Sequence, residues 1–467
     1  MNEIQRPNHH SSFLTSGLRQ ALGFFVMFGC IIWFPLGGAM LWAQKNNPEE
    51  IRSGPMVGYS QMREVMLWVQ TATSARVQFE YHDRDEELAE KHWTAPVTTE
   101  KPSGFTAHCL ADEVEPGKRY VATLYINKKR VDLPYPVHFQ SQSLWQWRTD
   151  PPTVRMAVGS CAYVNETELD RPGQPYGGGY GIFNQIADQL PELMLWLGDN
   201  VYFREADWTT QTGMFHRYTY SRSIPELQKL LAQTHHYAIW DDHDFGPNDS
   251  DHSFVHKDLA LKAFKAFWAN PSYGLEGRAG ITTQFQWADC DFFLLDNRYN
   301  RGGAAQPKNS RSMLGKEQLV WLLDALKYSK APFKFVCIGG MVLSTAAVYE
   351  NYARVFPEER EYLLQEIQRE KIKGVIFLTG DRHHTELSKW HPEGGVVVYD
   401  LTISPLTSKA HGGDEGKNQH LVEGTEITEP NFGILEVSGA FKSRVLNIQI
   451  FNARGDSLWK KTIPQGD

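Results

Sequence analysis

Apolar and polar residues change their spacing three times along this chain, and each spacing predicts a different kind of structure. Residues 1–20 are polar and include Arg6 and Arg19, whereas Ala21–Ala43 carries no charge. At about 1.5 Å per residue that uncharged run is long enough to cross a bilayer as a helix. Pro35, Gly37 and Gly38 within it, and Leu41-Trp42-Ala43 at its end, equally suit a cleaved signal peptide. Residues 1–44 are therefore expected to be a signal peptide or a membrane anchor, and either implies export to the periplasm or beyond. A polar linker follows over 45–54.

From residue 55 to 142 the spacing becomes period two, as in Val65-Met-Leu-Trp-Val-Gln70, Ala75-Arg-Val-Gln-Phe-Glu-Tyr81 and Tyr120-Val-Ala-Thr-Leu-Tyr-Ile126. Short alternating runs separated by turns such as Glu115-Pro-Gly-Lys118 predict a small antiparallel β-sandwich of fibronectin or immunoglobulin type. From about 150 to 465 the chain alternates short, unbroken apolar runs with helical spacing, the signature of an α/β domain. Val154–Val158, Leu193–Leu197, Tyr237–Trp240, Phe333–Ile338 and Gly374–Thr379 read as buried strands. Gly181–Gln189, Pro225–Gln233, Leu314–Leu326 and Glu358–Arg369 read as helices, and three strands close the chain over 432–463.

Composition narrows this only a little. Charged residues at 22% and aromatics at 12% describe an ordered globular chain of 467 residues. A net charge of −8 disfavours nonspecific binding to nucleic acid or anionic membrane. Five cysteines without paired spacing make neither a disulfide framework nor a zinc ribbon.

The chemistry sits where the apolar runs stop. Four of them end at Cys161, at Asp199 with Tyr202, at Asp241–Asp244, and at Asp381 with His383 and His384. Open α/β sheets bind ligands at the carboxyl ends of their strands. Thiolate, phenolate, carboxylate and imidazole together suit a highly charged first-row cation beside an oxygen-preferring one. Taken singly, each cluster also has an ordinary reading as a cap, a turn or a buried thiol.

These motifs, Gly-Ser-Cys161, Gly-Asp199-x-x-Tyr202, Trp240-Asp-Asp-His-Asp244 and Gly-Asp381-x-His383, resemble those of the PhoD-like alkaline phosphatases, a branch of the calcineurin-like metallophosphoesterases. Leu294-Leu-Asp-Asn-Arg298 and Met313-Leu-Gly-x-x-Gln-x-x-Trp-Leu322 add to the resemblance, which covers nearly everything after residue 55. It implies a four-layer αββα catalytic domain behind the β-sandwich and the N-terminal apolar helix. It also implies Fe3+ beside Ca2+: Cys161, Tyr202 and His383 on iron, Asp199 bridging, Asp242 and Asp381 on the calcium side. A hydroxide held by the metals would attack the phosphate ester, with His243 stabilising the transition state or protonating the leaving group.

Asp244 stands where that family usually has Glu, His384 follows His383 as a competing ligand, and Asn248 is a further calcium-side candidate. For the substrate phosphate Arg298 is the first choice, since guanidinium pairs bidentately with phosphate oxygens. Arg301, Lys308 and Arg311 in a Gly-rich loop, and Arg217 and Tyr218, are weaker choices. The expected activity is a phosphohydrolase acting on small phosphomonoesters or phosphodiesters, phospholipase D-like specificity included. The rival is a non-catalytic, calcium-stabilised envelope binding protein.

Overall fold

The strand Leu193–Leu197 lies at the centre of a nine-stranded sheet, and the computed structural model shows why its sequence is apolar without a break. Parallel neighbours, Val154–Gly159 and His235–Ile239, bond to its two edges, and all five of its side chains are buried. The structure describes residues 50–466 apart from 304, 308, 309, 347, 350 and 413–417. The uncharged segment 21–43 and Lys308 thus lie outside the described residues. Among the described residues no helix is long and apolar enough to cross a membrane.

The fold is mixed α/β with several sheets. On one side of the centre the large sheet runs through Asn431–Ser438, Val445–Asn452 and Ser457–Pro464, all antiparallel. A second sheet orders Thr283–Trp287, Cys290–Leu294, Lys334–Ile338, Val375–Thr379, Val398–Thr402 and Glu386–Trp390, with a parallel middle. Its side chains alternate between two cores, as the two-residue period of a strand requires. Phe292, Leu294, Phe335, Cys337, Ile376 and Leu378 share a cluster with Met156, Leu195 and Ile239 of the large sheet. Phe293, Val336, Ile338, Val375 and Phe377 join Leu319, Leu322 and Leu326 of helix Lys316–Tyr328 and Leu363 and Ile367 of helix Pro357–Arg369.

The stretch expected as a separate β-sandwich is joined to this frame through a sheet. Ile51–Ser60, Val65–Thr71 and Thr106–Ala111 extend the large sheet, with Val57 bridged in parallel to His235. Arg76–Asp83, Arg119–Ile126 and Val137–Gln140 belong to the third sheet, and both sets bury one apolar cluster that includes Val57, Val69, Phe79 and Leu124. The first strand begins at Ile51, inside the segment expected as linker. Alternation reports which face of a strand is buried, but not which strand lies beside it.

His235 pins this junction. Its Nδ1–H donates to the Gly58 carbonyl at 2.8 Å, and Nε2 accepts from the Gln140 amide at 3.0 Å. Only the neutral ring can do both. Burial pushes its pKa down to about 4, with the two backbone contacts opposing. The unfolded chain therefore binds a proton more readily than the folded one between about pH 6.5 and pH 4. Stability contributed by the neutral ring is complete above that window and lost as pH falls through it. Urea titrations across that range should show this acid loss, and His235→Gln should flatten it.

Candidate metal centre

Four loops that follow strand ends carry the site, and four of its residues hold backbone conformations that non-glycine residues seldom adopt. Cys161 (φ 59°), Asp199 (φ 52°), Asp381 (φ 68°) and His383 (φ 55°) are all left-handed. Conformations of that kind persist where the surroundings enforce them, most often at functional sites. Close approach of the two sheets does the enforcing here. A Cβ on Gly380 would stand 2.7 Å from the Leu197 carbonyl and 2.7 Å from the Ser160 Cβ. On Gly198, itself left-handed, it would stand 2.8 Å from the Asp241 Cβ. Both glycines are needed for the loops of different strands to meet.

On one side of Asp199 the sulfur, phenol and imidazole converge. Cys161 Sγ lies 3.6 Å from Asp199 Oδ2, the Tyr202 hydroxyl lies 3.2 Å from the same oxygen, and it lies 3.2 Å from His383 Nε2. His383 Nδ1 is 2.9 Å from the Lys409 carbonyl, an acceptor only, so Nδ1 carries the proton and Nε2 presents its lone pair to the cluster. Ser404 donates to the Cys161 sulfur at 3.2 Å and Ser408 to the Tyr202 oxygen at 3.0 Å. All four groups are nearly or fully buried. Burial raises the Asp199 carboxyl well above its usual range, reinforced by the charges of Asp242, Asp241, Asp244 and Asp381. Burial also raises the Cys161 thiol and the Tyr202 phenol, with Asp199 adding to each. His383 is pushed down to about 4, by burial first and His411 next. A buried cation would supply the charge that these groups otherwise draw from protons.

On the other side lie carboxylates. Asp241, Asp242 and Asp381 offer ligand atoms all within 4.8 Å of one another, as do Asp199, Asp242 and His243. Asp242 Oδ2 accepts from the Asp249 amide at 2.9 Å, while its buried Oδ1 has no hydrogen-bond partner. Arg298, 1% exposed, donates through Nε to Asp241 Oδ1 and holds an Nη nitrogen 3.7 Å from Asp242 Oδ1. Asn297 donates to Asp241 at 2.8 Å. Asp244 is fully buried and outside every ligand group; it accepts from the amides of Asn200, Val201 and Asp241 at 3.0 to 3.2 Å. That one carboxylate staples the loop after Leu193–Leu197 to the loop after His235–Ile239. His243 stands at the mouth, its side chain 25% exposed, its ring tilted 33° to that of Tyr202 with centroids 4.3 Å apart, and Nε2 3.9 Å from Asp242 Oδ2.

Several weaker choices fall elsewhere. His384 is buried against Glu386 Oε2 at 3.3 Å, and among the described residues the groups of converging ligand atoms include His383 and not His384. Asn248 is exposed, just before the amide that reaches Asp242. Arg217 is ion-paired with Glu166 and Asp207, and Tyr218 stacks on Phe267. Arg301 is buried with its guanidinium over the Phe356 ring, and Arg311 donates to the Gln306 carbonyl. Sequence reading overlooked the part of Asp241, although it lies in the Asp-Asp-His-Asp run. It also overlooked Ser404 and Ser408, which follow a strand, Val398–Thr402, that carries no polar motif of its own.

A family profile described as PhoD-like phosphatase matches residues 156–445, more than half of the chain. The chain belongs to this family. It is 24% identical over 370 residues to a protein named alkaline phosphatase D from Bacillus subtilis (strain 168). That alignment covers 68% of this chain and 60% of the relative, so the chain spans less than two thirds of that relative's length. Among solved structures, one titled as PhoD superposes with a TM-score of 0.73 at 17% identity, covering 90% of this chain and 91% of that one. A purple acid phosphatase from yellow lupin seeds superposes with a TM-score of 0.64 at 12% identity, covering 88% and 74%. Both likenesses show that this PhoD-like chain shares its mixed α/β fold with those two structures.

Proposed function

We propose that this PhoD-like protein is a metal-dependent phosphohydrolase, exported from the cytoplasm, that cleaves small phosphomonoesters, phosphodiesters or both. The observation that carries the reading is the convergence of Cys161, Tyr202 and His383 on Asp199, which also belongs to an acidic group. The donor chemistry fits two different cations. In this reading Cys161, Tyr202 and His383 hold Fe3+, Asp199 bridges, and Asp242, Asp381 and Asp241 hold Ca2+. Thiolate and phenolate are of no use to calcium, and the buried Asp242 Oδ1, which accepts no hydrogen bond, suits a hard cation. When bound, the cations supply a hydroxide nucleophile near neutral pH and neutralise charge developing on the phosphoryl group. His243, at the mouth, delivers a proton to the leaving oxygen or steadies the transition state. The layers are read as helices, large sheet, second sheet, helices, in that order.

Arg298 serves phosphate in this reading chiefly by holding Asp241 and Asp242 in place, since its guanidinium is already engaged with both. Arg298→Ala should therefore lower metal content along with kcat/KM. A raised KM with full metal content would assign it instead to direct phosphate binding.

Purified protein should contain iron and calcium and show a visible phenolate-to-iron charge-transfer band. It should hydrolyse para-nitrophenyl phosphate or its bis ester, and chelation should abolish this. A colourless, calcium-only, inactive preparation would leave the binding-protein reading standing. The rate ratio of the two esters decides between monoesterase and diesterase.

A further inference from the structure

Far from the metal centre, two short loops hold large apolar side chains out in solvent. Trp147 is 99% exposed, Phe441 55% and Leu144 44%. Arg148 and Lys442, the residues next to Trp147 and Phe441, are exposed too. Isolated exposed apolar residues are ordinary, but a contiguous group on a rigid base marks an interaction surface. The base here is rigid. Trp145 packs on Phe441 with ring centroids 6.1 Å apart, and the Phe441 amide donates to Asp150 Oδ1 at 2.9 Å. Below them Arg444, 1% exposed, donates to the carbonyls of Pro151, Pro152 and Gly439, tying the feet of both loops together. Trp147 is turned outward by a left-handed backbone (φ 59°), closed by amides of Arg148 and Thr149 donating to the Trp145 carbonyl.

We propose that these two loops form a membrane-docking surface, which inserts Trp147, Phe441 and Leu144 into the headgroup region of an anionic phospholipid bilayer. Indole is the side chain best suited to that boundary, with an apolar body and one polar N–H. Arg148 and Lys442 follow Trp147 and Phe441 in the chain, and Lys442 Nζ lies 5.5 Å from the centre of the Phe441 ring, so phosphate headgroups around the inserted rings would meet both cations. A side chain left 99% exposed is not seated in any groove, and three side chains on two loop tips are too few for a stable protein interface of about 800 Å² per partner. The net charge of −8 opposes approach only at long range. Beyond about 8 Å that repulsion is screened at physiological salt, so the local charges govern contact, Arg148 and Lys442 outnumbering Asp150.

Topology gives the orientation. Strand Val154–Gly159 starts beside these loops and leads into Cys161 at its far end, with Val154 paired to Val437 and Val158 to Gly433. The metal centre is therefore one strand length away, about 20 Å at 3.3 Å per residue, at the opposite edge of the sheet. Docking through the loops turns the mouth of the site toward water, open to soluble esters.

The test uses the full chain with Cys30→Ser; Cys109, Cys161, Cys290 and Cys337 are buried. An environment-sensitive nitrobenzoxadiazole label is placed through Trp147→Cys or, as a control, through Leu88→Cys, a site 98% exposed on the third-sheet side. With vesicles of phosphatidylcholine and about 30% phosphatidylglycerol, emission at 147 should rise about threefold and be quenched by brominated lipid. Emission at 88 should not change. Arg148→Glu with Lys442→Glu should at least halve the rise at 147 while phosphatase activity and melting temperature stay unchanged. Protein that floats with vesicles but shows no rise at 147 overturns the proposal. So does an equal rise at both labels, or a rise at 147 that needs only higher protein concentration and no lipid, which would assign the surface to a second copy.

Discussion

Asp199→Ala is expected to remove metal and activity together, with kcat/KM falling by about 10³-fold or more, some 4 kcal/mol of transition-state stabilisation. The reason is geometric. Oδ2 faces the sulfur and the phenol, Oδ1 accepts from the His243 amide at 3.3 Å, and the carboxylate belongs to two of the three ligand groups, one with Cys161 and His383 and one with Asp242 and His243. A second consequence follows from its surroundings. With the metals stripped, this carboxyl is crowded by burial and by Asp242, Asp241, Asp244 and Asp381. Removing it relieves that crowding, so the stripped variant should melt no lower than stripped wild type. Wild type alone should gain stability when metals are returned. Plasma emission analysis, a para-nitrophenyl phosphate assay and thermal melts with and without chelator check all three. An Asp199→Ala protein that keeps its metal and its rate would end the two-cation reading.

Asp244→Ala is expected to be the most destabilising single change near the site although Asp244 is a member of no ligand group among the described residues. Three buried amides, those of Asn200, Val201 and Asp241, lose their acceptor. At roughly 1–3 kcal/mol for each buried donor left unmatched, a loss of about 3 kcal/mol in urea denaturation is reasonable. The loops bearing Asp199 and Asp242 are no longer stapled, so metal should leave at lower chelator concentration. Asp244→Asn keeps one acceptor oxygen and should recover part of both effects. Equal stability of Asp244→Ala and wild type would mean that the amides find other acceptors, and the staple has no energetic weight.

Much of the site was legible because strand ends have a local signature. Leu193–Leu197 is apolar at every position since both faces of the sheet are covered, and Gly198 then breaks the run. The same logic exposed Cys161, the Asp-Asp-His-Asp run and Asp381 with His383. What stayed hidden acts through contacts that leave no trace in spacing. Ser404 and Ser408 reach the thiol and the phenol across more than 200 residues of chain. Arg298 looked free to meet a phosphate, yet in the fold its guanidinium reaches Asp241 and Asp242. The alternating strands after residue 50 were recognised as strands, but their partners were not. His235 and Val57 meet only once the large sheet is assembled.

By itself the sequence determined most of the elements, though not helix Lys257–Phe267 or strands Glu386–Trp390 and Val398–Thr402, together with the order in which chemical groups arrive and the residue types able to hold a metal, because those depend on periodicity and on side-chain identity. Only the tertiary structure decided which histidine of the pair lies beside Asp199 and Tyr202, which carboxylate staples two loops together, and that the N-terminal strands are part of the large sheet. These outcomes depend on distances between segments far apart in the chain, and no local pattern encodes such distances.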